Sequence, residues 1–253
     1  MDEREFTQRL SQIQTMWSVV LRAHSGQADA ATSAQQALMQ RYSGSVYRYL
    51  VGFLRDYDAA DDLAQEFALR VLRGDLRRAD PTRGRFRDYV KMILRHLVAD
   101  HHRRLMASPQ PLPADGPEPA GVGEGLPDLD RQFLESWRKE LLAHAWAALE
   151  RVATESGRPY YAVLRLRADH PEMRSARMAE ELAARLGRPV TAGAVRQTLS
   201  LAREKFADFL LDEVEHSLAE PVPEQVREEL IDLDLLPYCL HALERRGRRP
   251  RPA

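Results

Sequence analysis

The chain has 253 residues, with 37 lysines and arginines against 38 aspartates and glutamates, a formal net charge of −1, and a single cysteine, Cys239. That length accommodates two small domains with connections between them. The balanced charge excludes a uniformly basic nucleic-acid-coating protein, and the lone cysteine excludes an intrachain disulfide framework and any cysteine-based zinc site.

Leu, Ala, Arg and Glu recur at helical spacing with few strand-like alternations, so the expected class is all-α. Phe6, Leu10, Ile13, Trp17 and Val20 repeat at three and four residues, an amphipathic helix that either packs on its own domain or serves as a partner-binding arm. Ser25-Gly26 ends it. A second helix, from about Ser33 to Leu54, sets Leu38, Tyr42, Val46, Leu50 and Phe53 along one side.

The next helix is acidic. Asp58 is its expected N-cap, Asp61 and Asp62 favour its positive end, and Leu63, Phe67 and Val71 form its apolar stripe. Asp62, Gln65, Glu66 and Arg70 then fall on the solvated side. After a break at Asp80-Pro81 comes a basic helix in which Phe86, Val90, Ile93 and Leu97 are expected to be buried. Arg87, Lys91 and Arg95 are left as an outward stripe beside Tyr89 and His96. A cationic ridge with rings in reach can hold phosphates and stack on an unpaired base, which is what gripping melted DNA requires. Two opposite charge faces on adjacent helices imply two different partners.

These two helices resemble region 2 of the sigma-70 family of bacterial RNA polymerase sigma factors, in the small extracytoplasmic-function (ECF) style. D-D-L-A-Q-E-F resembles the family's polymerase-clamp helix, which implies core-polymerase contacts at Asp61, Asp62, Gln65 and Glu66. F-R-D-Y-V-K-M-I-L-R-H-L-V-A-D-H-H-R-R resembles its promoter-melting helix. It implies minus-ten contacts at Arg87, Tyr89, Lys91, Arg95, His96, Arg103 and Arg104. Tyr89 stands where a tryptophan is usual and His96 where an asparagine is usual; both keep a planar ring or polar edge.

From Ala107 to Asp130 prolines and glycines replace the apolar period, and the charges are Asp115, Glu118, Glu124, Asp128 and Asp130. This reads as a linker, either a solvated tether or, as the family implies, a segment threaded into the polymerase channel. Helical period returns at Arg131, with Phe133, Trp137, Leu141 and Leu149 able to share a face. A short helix follows over Tyr160 to Arg167. A helix from about Ala176 to Leu186 then closes at Gly187, and Thr191 can cap a following helix whose Val195, Leu199, Ala202 and Phe206 face inward. That is helix-turn-helix layout. Arg196, Gln197, Ser200 and Arg203 lie outward, where they can bond base edges or phosphates. The segment resembles sigma region 4, which implies minus-thirty-five contacts at Thr191, Arg196, Gln197, Ser200 and Arg203.

Beyond Pro221 and Pro223, the apolar Val226, Leu230, Leu233, Leu235, Leu236, Tyr238 and Leu240 predict a helical hairpin folded back on one domain, as a stability cap or a built-in regulator. Arg245, Arg246, Arg248, Arg249 and Arg251 are expected to trail off disordered. The expected organisation is therefore a region 2 domain over 1–105, an acidic linker over 106–130, a region 4 domain over 131–218, and a C-terminal extension with a basic tail over 219–253.

The resemblance covers roughly residues 15 to 218, and W-S-V-V-L-R-A with A-E-E-L-A-A-R-L-G is most similar to planctomycete-type ECF factors. It implies an alternative sigma factor that binds core RNA polymerase at its clamp coiled coil and flap, recognises both promoter elements and melts DNA. It leaves room for an anti-sigma or signalling protein as a further partner. With no signal peptide and no apolar run of bilayer length, the expected location is cytoplasmic, without membrane contact. A stand-alone dimeric helix-turn-helix regulator would account for residues 176 to 210 but not for the two charged helices. His96, Asp100, His101 and His102 invite a metal-dependent phosphohydrolase reading, but they cannot share one face and no second ligand motif follows. No enzyme activity and no cofactor are expected.

Overall fold

The computed structural model describes Arg9 and residues 30–73, 86–107, 126–218 and 222–247. The expected helix around Phe6 to Val20, the Asp80-Pro81 break, the proline-rich stretch over 108–125 and the arginines from Arg248 onward lie outside the described residues. Among the described residues there are nine α-helices and no strand. They are α1 (Ala30–Leu54), α2 (Tyr57–Leu72), α3 (Phe86–Ala107), α4 (Leu126–Ser156), α5 (Tyr160–Asp169), α6 (Ser175–Leu186), α7 (Ala192–His216), α8 (Pro223–Asp232) and α9 (Leu236–Gly247). None is long and apolar enough to cross a membrane. The chain divides into two compact units, with the first break inside α4 between Glu140 and Leu141.

In the first unit α1 buries Tyr42, Val46 and Leu50, α2 buries Leu63, Phe67 and Val71, and α3 buries Val90, Leu94 and Leu97. Each such side chain contributes about 1.5–3 kcal/mol when taken fully out of water, so these stripes are the main apolar contact among the three helices. The chain turns from α1 to α2 at Arg55, whose φ of 52° places it in the left-handed region. This turn moves the cap. Asp56, not Asp58, caps α2, its carboxylate accepting from the backbone N–H groups of Asp58 at 2.9 Å and Ala59 at 3.1 Å.

The fourth helix starts at Leu126, five residues ahead of the expected return of helical period at Arg131, because Leu129 already has an apolar partner. Its Cδ2 atom would lie 3.3 Å from a Cβ built on Gly52, so the missing side chain there lets α4 approach α1 closely. Further along, Trp137 stacks on Tyr42 with ring centroids 3.9 Å apart and planes 10° from parallel, while Phe133 meets Tyr49 edge-on at 5.5 Å. Phe133 and Trp137 thus serve the first unit, whereas Leu149, on the same expected face, belongs to the core of the second.

That second core gathers Leu149, Tyr160, Val163, Leu166, Met178, Leu182, Val195, Leu199 and Ala202. Between α6 and α7, Gly187 adopts φ 63°, the left-handed turn expected at the end of the first helix of a helix-turn-helix. Thr191 Oγ1 accepts from the Ala194 backbone N–H at 3.1 Å and caps α7. The hairpin α8–α9 packs on α7 within this unit. Asp234, at φ 53°, ends α8, and the N–H of Leu235 returns to the carbonyl of Leu230 at 2.8 Å, closing a Schellman motif over two buried leucines.

Candidate nucleic-acid interface

On α2 the four residues expected to face the polymerase behave differently. Asp62 and Gln65 are exposed. Asp61 is turned inward enough to accept from the Tyr47 hydroxyl at 2.7 Å and from Arg9 Nη1 at 2.9 Å. Burial first, and the Asp61 carboxylate second, hold the Tyr47 phenol above its ordinary range, which fixes it as the donor in that pair. Glu66 accepts from Arg70 at 2.9 Å and from Arg104 at 3.1 Å. Partial burial opposes its ionisation, but the Arg104 and Arg70 bonds together prevail and hold the carboxyl below the usual range.

One residue on this face escaped the sequence reading. Leu69 is 48% exposed, one turn beyond Gln65 and two beyond Asp62, and was hidden from a periodicity argument because it carries no charge and lies outside the buried stripe. Apolar anchors ringed by polar groups are what protein interfaces concentrate their energy on. The α2 face is therefore amphipathic rather than merely acidic.

On α3 Val90, Ile93 and Leu97 are buried as expected, and the inward face is wider than the expected stripe. Arg87 is 3% exposed, so it is not part of a solvated stripe. It shares the 3–4–3 spacing of Val90, Leu94 and Leu97, and the face that buries those three takes the guanidinium in with them. Tyr89 is half-buried and His96 is exposed.

Lys91 and Arg95 do line up outside that core, and both meet the same carboxylate. Asp130, in the first turns of α4, lies 3.5 Å from Lys91 Nζ and 2.5 Å from Arg95 Nη2. Lys91 also approaches Asp88 at 3.6 Å. Of the Asp130 carboxylate, Oδ1 is buried with no hydrogen-bond partner among the described residues, so the group is held in place by its two cations alone. An anionic oxygen thus sits between two cations on this ridge.

Arg103 pairs with Asp100 and Arg104 reaches back to Glu66, while Arg70 stands 3.8 Å from Asp100. At this end the acidic and basic faces neutralise each other: Glu66 and Arg104, expected to serve different partners, bond together. His101 is pushed down by burial first, then by His102 and Arg104. Among the described residues no three His, Cys, Asp or Glu side chains are grouped to hold a metal ion.

In the second unit Thr191, Arg196, Gln197, Ser200 and Arg203 are all exposed on α7. The hairpin leaves them so. Arg245 and Arg246, expected in a disordered tail, are instead part of α9 and clamp it to α7. Arg245 bonds Glu204 at 3.2 Å and Asp208 at 2.7 Å; Arg246 bonds Asp212 at 2.6 Å and Glu215 at 2.9 Å. Four carboxylates on the C-terminal half of α7 attract the two arginines into order, a complementarity that lies across 31 to 41 positions of sequence and is invisible locally.

The family model described as Sigma-70 region 2 matches residues 38–107, from within α1 to the end of α3. No curated protein and no solved structure matches the chain. The match supports a sigma-factor role in RNA polymerase binding and promoter melting.

Proposed function

We propose that the chain is an alternative sigma factor of the ECF style, in a planctomycete-like branch, whose first unit docks on the polymerase clamp and melts the minus-ten element while α6–α7 read the minus-thirty-five element. The observation that carries this reading is the placement of two functional faces within the residues that match region 2. On α2 Asp62, Gln65 and Leu69 offer a charged, apolar-centred face suited to a basic coiled coil; charge steers the encounter and the apolar anchor supplies affinity. On α3 Lys91 and Arg95 supply cations, and Tyr89 with His96 supply rings for a flipped or unpaired base.

Asp61 takes a positioning role in this scheme, bracing α2 on α1 through Tyr47. Arg103 and Arg104 continue the phosphate track once Asp100 and Glu66 release them. In the second unit, capping by Thr191 sets the start of α7 so that Arg196 and Gln197 meet base edges, with Ser200 and Arg203 beside them. The polymerase flap is the second docking point, and an anti-sigma protein would compete for these same exposed faces.

Replacing Asp62 with lysine together with Leu69 by alanine is expected to weaken core-polymerase binding by at least about tenfold, the scale of one lost interface anchor and one reversed rim charge. Folding stability should change by no more than about 0.5 kcal/mol, since neither side chain is buried. Core-polymerase affinity that survives both substitutions contradicts the assignment of the α2 face.

A further inference from the structure

The hairpin α8–α9 lies beside the exposed face of α7 and does not cover it. Arg196, Gln197, Ser200 and Arg203 all remain exposed with the hairpin docked, so it cannot work as a lid over them. What it does instead is build a wall. A groove forms between the two helices, with Arg196, Ser200 and Arg203 on the α7 side and Tyr238, His241 and Arg245 on the α9 side. Tyr238 is 69% exposed, with its ring at the mouth of this groove rather than in the hairpin core.

Charge says what the groove fits. Without the hairpin, α7 carries Glu204 and Asp208 directly after Arg203, and these carboxylates would repel a phosphate chain. Arg245 bonds both of them. Arg196 and Arg203 have no ion pair among the described residues, so their charge faces outward undiminished. The partly neutralised floor, the two cations and the Tyr238 and His241 donors together make a polyanion track along the flank of α7. A hairpin anchored by Val226, Leu230, Leu233, Leu235, Cys239 and Ala242, each no more than 2% exposed, is a fixed part of that track.

We propose that the C-terminal hairpin extends the duplex-binding surface: the α7–α9 groove seats the sugar–phosphate backbone beside the bases read by α7, with Tyr238 and His241 as contacts supplied by the extension. The inference rests on the assignment of α7 to duplex reading. Phosphate contacts of this kind hold register and add affinity without adding sequence preference.

The test uses the full chain assembled with core polymerase, and duplex fragments that this complex selects from a randomised pool. Tyr238→Ala and His241→Glu are compared with Gln197→Ala, a change on α7 outside the groove. The hairpin variants should lower affinity by roughly fivefold to tenfold for every duplex tested, the scale of a lost contact joined by a repelled phosphate. Melting temperature and core-polymerase affinity should not move. Gln197→Ala should instead relax preference at one base position. Unchanged affinity in the hairpin variants overturns the groove, and increased affinity overturns it in favour of a restraining hairpin. If Gln197→Ala leaves sequence preference intact, the duplex-reading assignment of α7 fails, whatever the hairpin variants do.

Discussion

Replacing Trp137 with alanine is expected to destabilise the first unit by about 3–5 kcal/mol, the range for truncating a large buried aromatic. The indole is fully buried, stacked on Tyr42 and 5.7 Å from Phe133, so its removal leaves a cavity that these two rigid neighbours cannot refill. Its consequence reaches beyond stability. Trp137 sits on the same helix as Asp130, and the stretch from Leu126 to Glu140 belongs to the unit that carries the cationic ridge of α3. Denaturant unfolding followed by circular dichroism measures the loss; a cost below about 1 kcal/mol would mean that the head of α4 is not integral to this unit. Trp137→Phe should cost less, because it keeps a stacked ring and removes an Nε1–H that has no partner among the described residues.

Changing Asp130 to asparagine should raise the affinity of the chain for single-stranded DNA by about tenfold at low salt, since it removes the one anion that pairs Arg95 and the nearer of two that pair Lys91. With Arg95 freed and Lys91 left only with Asp88 at 3.6 Å, the slope of log affinity against log salt should steepen by about 0.7 for each phosphate gained. Asparagine keeps the volume and can accept a hydrogen bond, so folding should be little affected. Binding and slope identical to the unaltered chain would show that the Asp130 pairs do not compete with nucleic acid.

How much of this was legible in the sequence depended on whether the deciding force was local. The α6–turn–α7 unit was legible because each of its signals is a nearest-neighbour matter: helical period up to Leu186, a glycine at 187 that takes the left-handed turn, a capping hydroxyl at Thr191. The stripe of Leu63, Phe67 and Val71 was legible for the same reason. The cap at Asp56 was not legible because the left-handed turn at Arg55 leaves no mark on a residue type that seldom adopts it. Arg87 was misplaced because the buried face of α3 is wider than one apolar stripe, taking in Leu94 and Val98 beside Val90, Ile93 and Leu97, and charge alone argued for solvent at Arg87. The ion pairs of Asp130 with Lys91 and Arg95, and of Arg245 and Arg246 with α7, are long-range electrostatics between surfaces that charge counting regards as separately solvated.

The central claim is that this chain directs core polymerase to melt a promoter through α3, and permanganate footprinting tests it most directly. Core polymerase, the full chain and a promoter duplex selected by their complex should yield reactive thymines across the minus-ten element. Tyr89→Ala, which removes a stacking ring worth about 1–3 kcal/mol per base, should abolish or strongly reduce that reactivity while polymerase binding persists. A polymerase-bound complex that leaves every thymine protected, or a Tyr89→Ala variant that melts the element as well as the unaltered chain, would contradict the account.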